Sequence, residues 1–217
     1  MTTDARRGRE PLTALLDRAT GPAHRSAERS PFLAALLDGR LGRDAYVDLA
    51  AQHRAIYGAL EAAVAATGDD DAVAPFFAPE LARVPALEAD LEHLAGPRWR
   101  QCTVVLPATV RYGSHLRLLG ATWPGGVLAH HYVRYLGDLS GGQVIGRVLR
   151  RVHGLSSDGT SFYRFDEVPS ARAFKARYRA RLDALPWCRE ERERFVDEAV
   201  DAFRATTDVL EDLMTAR

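Results

Sequence analysis

Apolar residues recur every three or four positions through most of this chain, and no other feature constrains its fold as strongly. Residues 42–67 show the pattern, with Tyr46, Leu49, Ile56 and Leu60 at helical spacing. Positions three and four apart lie on one face of an α-helix, so the pattern predicts amphipathic helices that each bury one face. We therefore expect an all-α fold, a single-domain bundle of about eight helices.

Proline and glycine set the predicted bounds of these helices. Residues 1–9 are polar and are expected to form a frayed tail on one domain that spans residues 1–217. In the first helix, which starts near Leu12, Gly21-Pro22 predicts either a kink or the start of a second helix, because proline removes a helix hydrogen bond. Further helices are predicted at residues 31–37, 42–67, 79–94, 107–119, 125–152, 170–185 and, after Pro186, as far as about Met214.

The composition argues against several classes of partner. Lys and Arg together number 29, as do Asp and Glu, so the net charge gives no reason to expect binding to nucleic acid or to a membrane. Cys102 and Cys188 lack a Cys-x-x-Cys partner and are expected to be free thiols in a reducing compartment. The chain has no apolar signal segment and no long apolar run, so we expect a soluble, cytoplasmic protein and, by default, a monomer.

The helix predicted at residues 125–152 is interrupted by Gly137, Gly141 and Gly142. Each glycine inside a helix costs about 1 kcal/mol relative to alanine, so three of them need a compensating reason. One explanation is close packing of another element on a small-residue face that Gly146 extends. The other is a bend that lets the backbone approach a flat ligand closely. The glycines alone leave both explanations open.

Asp138 follows the first of these glycines and stands between Leu136 and Leu139. A buried carboxylate is costly unless it is hydrogen-bonded or paired with a cation. Arg134 lies four residues earlier on the same helical face and could pair with it. Asp138 is therefore either half of a structural ion pair or a carboxylate that holds water beside a ligand lying on the glycines.

The fourteen residues His-His-Tyr-Val-Arg-Tyr-Leu-Gly-Asp-Leu-Ser-Gly-Gly-Gln, at positions 130–143, resemble the signature of the haem oxygenase family. The resemblance extends over about residues 11–213 and implies an all-helical fold, with haem between a proximal helix and a glycine-kinked distal helix. Three further segments carry it: Ala19-Thr20 followed by His24, Ala27 and Glu28; Gly96-Pro97-Arg98-Trp99; and Phe174-Lys175-Ala176-Arg177-Tyr178-Arg179.

The family resemblance implies an enzyme that uses O2 to open the haem ring to biliverdin, ferrous iron and carbon monoxide. Electrons would come from an external donor, a ferredoxin or an NAD(P)H-dependent reductase, because the chain has no Gly-x-Gly-x-x-Gly nucleotide motif. The alternative is a haem-binding carrier, store or sensor without turnover. Asp138 and the run of glycines argue against that alternative.

The resemblance also implies a role for individual residues. Periodicity cannot choose among the seven histidines, but the resemblance selects His24 as the iron ligand, with Glu28 one turn later orienting its ring. Asp138 would supply a proton through ordered water that Arg134 and Tyr57 help to hold. The remaining implied haem contacts are the segment formed by Gly137, Ser140, Gly141 and Gly142, the propionate-binding residues Lys175, Arg179 and Tyr132, and Phe203, for which a simple core position is nearly as good an interpretation.

One position departs from the family pattern at the propionate end. Relatives often carry a lysine seven residues before the proximal histidine, whereas this chain has Asp17 there and a cation next to it, at Arg18. Either Arg18 reaches a propionate from its shifted position, or this contact is missing. Thr206 stands where some relatives carry asparagine.

Overall fold

A computed structural model describes residues 10–217, so the predicted frayed tail at residues 1–9 lies outside the described part. The described residues form helices and contain no strand, as the apolar spacing predicts. If α7 and α8 are counted as one glycine-broken helix, eight helices in this part are longer than one turn. The helices are α1 (Leu12–Glu28), α2 (Pro31–Leu37), α3 (Arg43–Ala66), α4 (Val84–Ala95), α5 (Trp99–Cys102), α6 (Pro107–Thr122), α7 (Pro124–Gly137), α8 (Gln143–His153), α9 (Ala171–Ala184) and α10 (Arg189–Thr215).

The two longest helices, α3 and α10, organise the core. α3 packs against α4, α6 and α7, while α10 packs against α1, α2, α6 and α7. Burying a large apolar side chain contributes about 1.5–3 kcal/mol, so the wholly buried side chains of this core supply the main stabilisation. None of the described helices is both long enough and apolar enough to cross a membrane. The largest of the buried side chains include Tyr46, Tyr57, Tyr135, Phe32, Phe162 and Phe195.

Helix α1 runs through Gly21-Pro22 as one helix, so a second helix does not begin at Pro22. The side chain of Pro22 is exposed, which leaves the helix carbonyl that lost its donor close to solvent. Asp17 and His24, seven residues apart, therefore belong to one continuous helix and lie on the same face. This continuity places both residues along one wall of the cavity described below.

The predicted start of α4 at Pro79 is wrong. Residues Pro79–Leu81 form a single 3₁₀ turn that ends at Ala82, with ψ of 128°, and the helix begins at Val84. Glu61 of α3 fixes this start, because its Oε1 accepts hydrogen bonds from the backbone N–H groups of Arg83 at 2.6 Å and Val84 at 3.1 Å. A carboxylate from another helix thus satisfies donors that a local cap would otherwise bind.

The predicted end of α6 at Gly120 is also wrong, since the helix continues to Thr122. A Cβ atom at Gly120 would lie 3.0 Å from the Cα of Ala63 in α3. This glycine therefore allows α6 to approach α3 closely and does not end the helix.

Helices α7 and α8 form one long helix with a π-helical turn, Asp138–Gly142, between them. This confirms the predicted long helix broken by glycines. A π turn widens the helix locally and is frequent at functional sites. Gly154, with φ of +62°, ends α8 in the left-handed conformation that favours glycine.

Candidate active site

Helix α1 and the π turn form opposite walls of an apolar cavity of about 790 Å³, a size typical of ligand-binding pockets. Residues from α2, α3, α7, α8, α9 and α10, together with Tyr163, complete the lining. Most of the surface is apolar, with polar groups on the π-turn wall and at one end. Apolar lining residues include Leu33, Leu37, Leu49, Val133, Ile145 and Leu210.

His24 lies on the α1 wall, where half of its side chain is exposed. Its Nε2 is 3.4 Å from Oε1 of Glu28, one helical turn later. The ring centroid of Phe203, from α10, lies 5.2 Å from the imidazole centroid. The structure therefore brings together the predicted iron ligand, the carboxylate expected to orient it and the predicted pocket-lining aromatic ring.

The glycines of the opposite wall divide into two pairs with different surroundings. A Cβ atom at Gly137 or Gly141 would meet no atom within 4 Å, and both residues line the cavity. At Gly146 it would lie 2.8 Å from the Cβ of Tyr163, and at Gly142 it would lie 3.4 Å from the ring of that tyrosine. Both explanations of the glycines thus apply: Gly137, Gly141 and Gly142 line the cavity, as predicted, and Gly146 lets Tyr163 pack closely against the helix.

Ser140 links the π turn to α9. Its Oγ donates a hydrogen bond to the carbonyl of Leu136 at 2.7 Å and accepts one from Nζ of Lys175 at 2.8 Å. The first bond satisfies a carbonyl next to the π turn. The second holds the Lys175 ammonium group at the mouth of the cavity, beside the predicted haem-contacting backbone.

The side chain that hydrogen-bonds to Asp138 is a tyrosine and not Arg134, which the sequence offered as one possible partner. The hydroxyl of Tyr57, from α3, donates to Oδ2 of Asp138. Burial raises the pKa of the Asp138 carboxyl to about 6, although the charge of Arg134 and the Tyr57 hydrogen bond act to lower it. A carboxyl group with this pKa exchanges its proton readily near neutral pH.

Of the two interpretations of Asp138, the structural ion pair with Arg134 does not form, because the guanidinium group of Arg134 lies elsewhere. Its Cζ is 4.9 Å from the centre of the Tyr57 ring, and its Nη1 donates to Oγ1 of Thr206 at 3.5 Å. Its buried Nε has no hydrogen-bond partner among the described residues. Arg134 therefore acts on Asp138 through its charge and by packing on Tyr57.

Two residues near this wall were missed by the sequence analysis. His53 lines the cavity one turn before Tyr57 on α3, and burial holds its pKa well below the usual value, so its ring is neutral. His53 lies four residues before Tyr57, so the sequence alone could have placed the two side chains on the same face of α3. Tyr112 of α6 is buried behind the wall, burial raises its pKa to about 12, and its hydroxyl lies 3.0 Å from Nδ1 of His130. Nothing in its sequence context distinguishes it from a core tyrosine.

The polar end of the cavity contains Arg179 and the aspartate that departs from the family pattern. Nη2 of Arg179 lies 2.6 Å from Oδ2 of Asp17, and Nη1 lies 3.1 Å from Oδ1. Nη1 also donates to the hydroxyl of Tyr132 at 3.0 Å. Two of the predicted propionate-binding residues, Tyr132 of α7 and Arg179 of α9, are thus in contact. Arg179 is also paired with Asp17.

Two predicted site residues do not line the cavity: Tyr57 is wholly buried and reaches it only through Asp138, and Arg18 does not reach it at all. The Arg18 side chain is 65% exposed, and its Nη1 lies 2.6 Å from Oε1 of Glu10. Successive helix residues are rotated by about 100°, so the face of α1 that carries Asp17 and His24 to the cavity turns Arg18 away from it.

Comparisons with known proteins agree with this arrangement. A family profile described as "Heme oxygenase" matches residues 10–212, a range that contains every residue lining the cavity. The chain is 37% identical over 214 residues to a haem oxygenase of Takifugu rubripes, covering 98% of this chain and 77% of that protein. It is 35% identical over 202 residues to haem oxygenase 1 of Synechocystis sp., covering 93% of this chain and 84% of that protein.

A solved structure shows the same similarity in three dimensions. Haem oxygenase-1 from the cyanobacterium Synechocystis sp., in complex with haem, superposes with a TM-score of 0.89 at 34% sequence identity. The match covers 95% of this chain and 96% of that one.

Proposed function

The chain belongs to the haem oxygenase family and is a haem-degrading enzyme, and we propose that it opens the ring with O2 to give biliverdin, ferrous iron and carbon monoxide. The observation that carries this proposal is the pairing of His24 on one wall of the cavity with Gly137, Gly141 and Asp138 on the other. A carrier, store or sensor is not favoured, because it would have no use for a carboxyl with a pKa of about 6 beside the ligand.

The cavity fits haem in shape and in chemistry. Gly137 and Gly141 leave a side-chain-free surface that a flat ring can approach, and the apolar lining suits a porphyrin. The imidazole of His24 is a suitable axial ligand for haem iron, and Glu28 would accept a hydrogen bond from its second nitrogen. When bound, haem supplies both the iron and the ring that is oxidised.

Asp138 would hold and deliver the proton that the reaction needs. Tyr57 donates to Oδ2, which leaves Oδ1 to exchange a proton with ordered water in the cavity. The charge of Arg134 keeps the carboxyl from becoming a much weaker acid, and its Nε is a donor for the same water. Because Gly137 and Gly141 carry no side chains, they contribute no acid of their own, and Asp138 would act through this water.

Lys175, Arg179 and Tyr132 would bind the haem propionates at the polar end. Charge-assisted hydrogen bonds from the two cations are stronger than neutral ones, and the Tyr132 hydroxyl already lies against Arg179. Arg179 would have to exchange some or all of its contact with Asp17 for a propionate. Arg18 takes no part in this proposal, because its side chain points away from the cavity.

Oxygen-dependent ring opening consumes reducing equivalents. We propose that O2 is the co-substrate and that a separate ferredoxin or NAD(P)H-dependent reductase is the electron donor. The basic side chains of α9 at the cavity mouth support docking of such a donor there, since cations attract an acidic partner surface. We further propose that the protein works as a monomer in the cytoplasm, which gel filtration and cell fractionation would test.

The test of the proposed function is to mix the protein with haemin, then add a reductant and O2, and follow the absorption spectrum. We expect a Soret band on mixing, then its loss together with the appearance of a bilin. A Soret band that persists under reductant and O2 would favour a carrier, store or sensor. No spectral change on mixing with haemin would overturn the haem site itself.

A further inference from the structure

Three side chains that could bind a metal ion meet outside the haem cavity, where α6, α7 and α10 pack together. His115 comes from α6, His130 from α7 and Glu198 from α10. Nε2 of His115 lies 2.6 Å from Oε1 of Glu198, and Nε2 of His130 lies 2.9 Å from the same oxygen. The three ligand atoms all lie within 4.8 Å of one another. None of these residues lines the cavity.

The two histidines point their Nε2 atoms at a single carboxylate oxygen. As a purely hydrogen-bonded cluster, two ring N–H groups would converge on one acceptor, with the second oxygen of Glu198 unused by either. A cation between the three atoms would replace both bridging protons and use the same lone pairs. Imidazole and carboxylate together are typical ligands of Zn²⁺ and similar divalent ions.

His130 is held in the orientation that a ligand needs. Its side chain is 1% exposed, and its Nδ1 lies 3.0 Å from the hydroxyl of Tyr112. Metal-binding histidines almost always use their other ring nitrogen in such a bond, which fixes the tautomer and the ring plane. Tyr112 therefore leaves Nε2 of His130 facing Glu198.

The three side chains differ in exposure, from the buried His130 to the partly exposed His115, so an ion could enter the cluster from solvent. His130 is fully buried, the Glu198 side chain is 13% exposed and the His115 side chain is 43% exposed. Tetrahedral coordination at about 2.0–2.1 Å sets ligand atoms about 3.3–3.4 Å apart, so the carboxylate oxygen of Glu198 would have to move about 0.7 Å farther from His115 and about 0.4 Å farther from His130. Glu198 and His115, the two members that are partly exposed, can provide these movements.

We propose that His115, His130 and Glu198 form a binding site for a divalent ion of the Zn²⁺ class, with a fourth position open to solvent. Two histidines and one glutamate with a free fourth position form a known zinc ligand set. The ion would join α6, α7 and α10 at a point one helical turn before Arg134 on α7. Binding of the ion would stabilise the packing of α6 and α10 on α7, the helix that leads into the π turn, without any contact with haem.

The proposal is tested on the haem-loaded protein by equilibrium dialysis against Zn²⁺, followed by elemental analysis. The parent should bind one equivalent more than His115→Ala, whose affinity should fall at least tenfold, since even loss of an outer-shell partner costs about 10–100-fold. His93→Ala, which removes an exposed histidine of α4, is the matched control and should bind as the parent does. Taking the difference between variants cancels zinc bound elsewhere.

A second measurement separates metal binding from a hydrogen-bonded cluster. Zn²⁺ should raise the Tm of the parent and of His93→Ala, but not that of His115→Ala or Glu198→Gln, because an ion that binds only the folded state stabilises it. The amide of Glu198→Gln keeps a hydrogen-bond acceptor but loses the charge that a cation needs. Equal zinc binding by the parent and His115→Ala, or a Tm of the parent that does not respond to Zn²⁺, would overturn the proposal.

Discussion

Burial raises the pKa of the Asp138 carboxyl group, and neighbouring groups, among them Arg134 and Tyr57, act to lower it. Removal from water disfavours the anion and raises the pKa to about 6, while Arg134 and the Tyr57 hydrogen bond hold it below the value that burial alone would give. Because the folded pKa exceeds the unfolded one, the folded protein binds more protons between about pH 4 and pH 6. The Asp138 contribution to stability is therefore most favourable below that window and is lost as the pH rises through it.

Asp138→Asn should remove this pH dependence. An amide oxygen can still accept from Tyr57, and an amide carries no buried charge. Well above pH 6 the variant should be more stable than the parent by on the order of 3 kcal/mol, and the difference should shrink to below about 1 kcal/mol near pH 4. Urea unfolding at pH 4.5 and pH 7.5 measures the difference. A stability difference that is the same at both pH values would show that Asp138 is already ionised in this range.

Asp17 and Arg18 are neighbours in sequence with opposite positions relative to the cavity. Asp17 pairs with Arg179, whereas Arg18 pairs with Glu10 at the surface. Arg18 therefore does not replace the propionate contact of the lysine that many relatives carry at the position of Asp17. Asp17 instead competes with a haem propionate for the Arg179 guanidinium and repels that propionate by its own charge.

Asp17→Asn should therefore bind haemin more tightly than the parent, by about three- to tenfold, which corresponds to about 0.6–1.4 kcal/mol. Arg18→Ala should leave the affinity unchanged and is the matched control. Soret titrations at low and moderate salt measure both dissociation constants. Weaker binding by Asp17→Asn would mean that Asp17 positions Arg179 for the propionate and does not compete with it.

At the level of elements, the glycines of the broken helix both open the cavity and allow close packing of Tyr163. Gly137 and Gly141 face open space, while Gly142 and Gly146 face Tyr163. Helical spacing explains the division, because residues four apart share a face. A methyl group added to either face should therefore have different consequences.

Gly146→Ala should destabilise the fold, because its Cβ would lie 2.8 Å from the Cβ of Tyr163, and such overpacking costs about 1–3 kcal/mol. Gly141→Ala should not lower stability, but its methyl group would project into the cavity and weaken haemin binding. Urea unfolding of the haem-free proteins and Soret titration separate the two effects. Loss of stability in Gly141→Ala with unchanged haemin affinity would contradict this division of the glycines.

Helix periodicity predicted the existence and order of the main helices, but not where α4 and α6 begin and end. Local sequence favours a start at Pro79, whereas Glu61 of α3 caps the backbone at Arg83 and Val84. Similarly, Asp183 of α9 accepts from the backbone N–H of Thr13, in the first turn of α1, at 2.9 Å. Caps supplied by residues far away in sequence cannot be predicted from local propensity.

At the scale of the whole molecule, the site depends on α1, α3, α7 to α10 and the π turn being held together by one core. The family resemblance selected His24, Asp138, Lys175 and Arg179, and the structure places all four around the same cavity. Sequence did not predict the direction of the Arg134 side chain. That direction depends on the Tyr57 ring, which reaches it from another helix.

We propose that haem bound between α1 and the π turn is opened with a proton supplied by Asp138. The most direct test is a single turnover of the haem-loaded protein with reductant and O2, comparing the parent with Asp138→Ala. We predict that both proteins bind haemin with a Soret band, that the parent forms biliverdin, and that the variant does not. Biliverdin formation by Asp138→Ala at the rate of the parent would contradict the account.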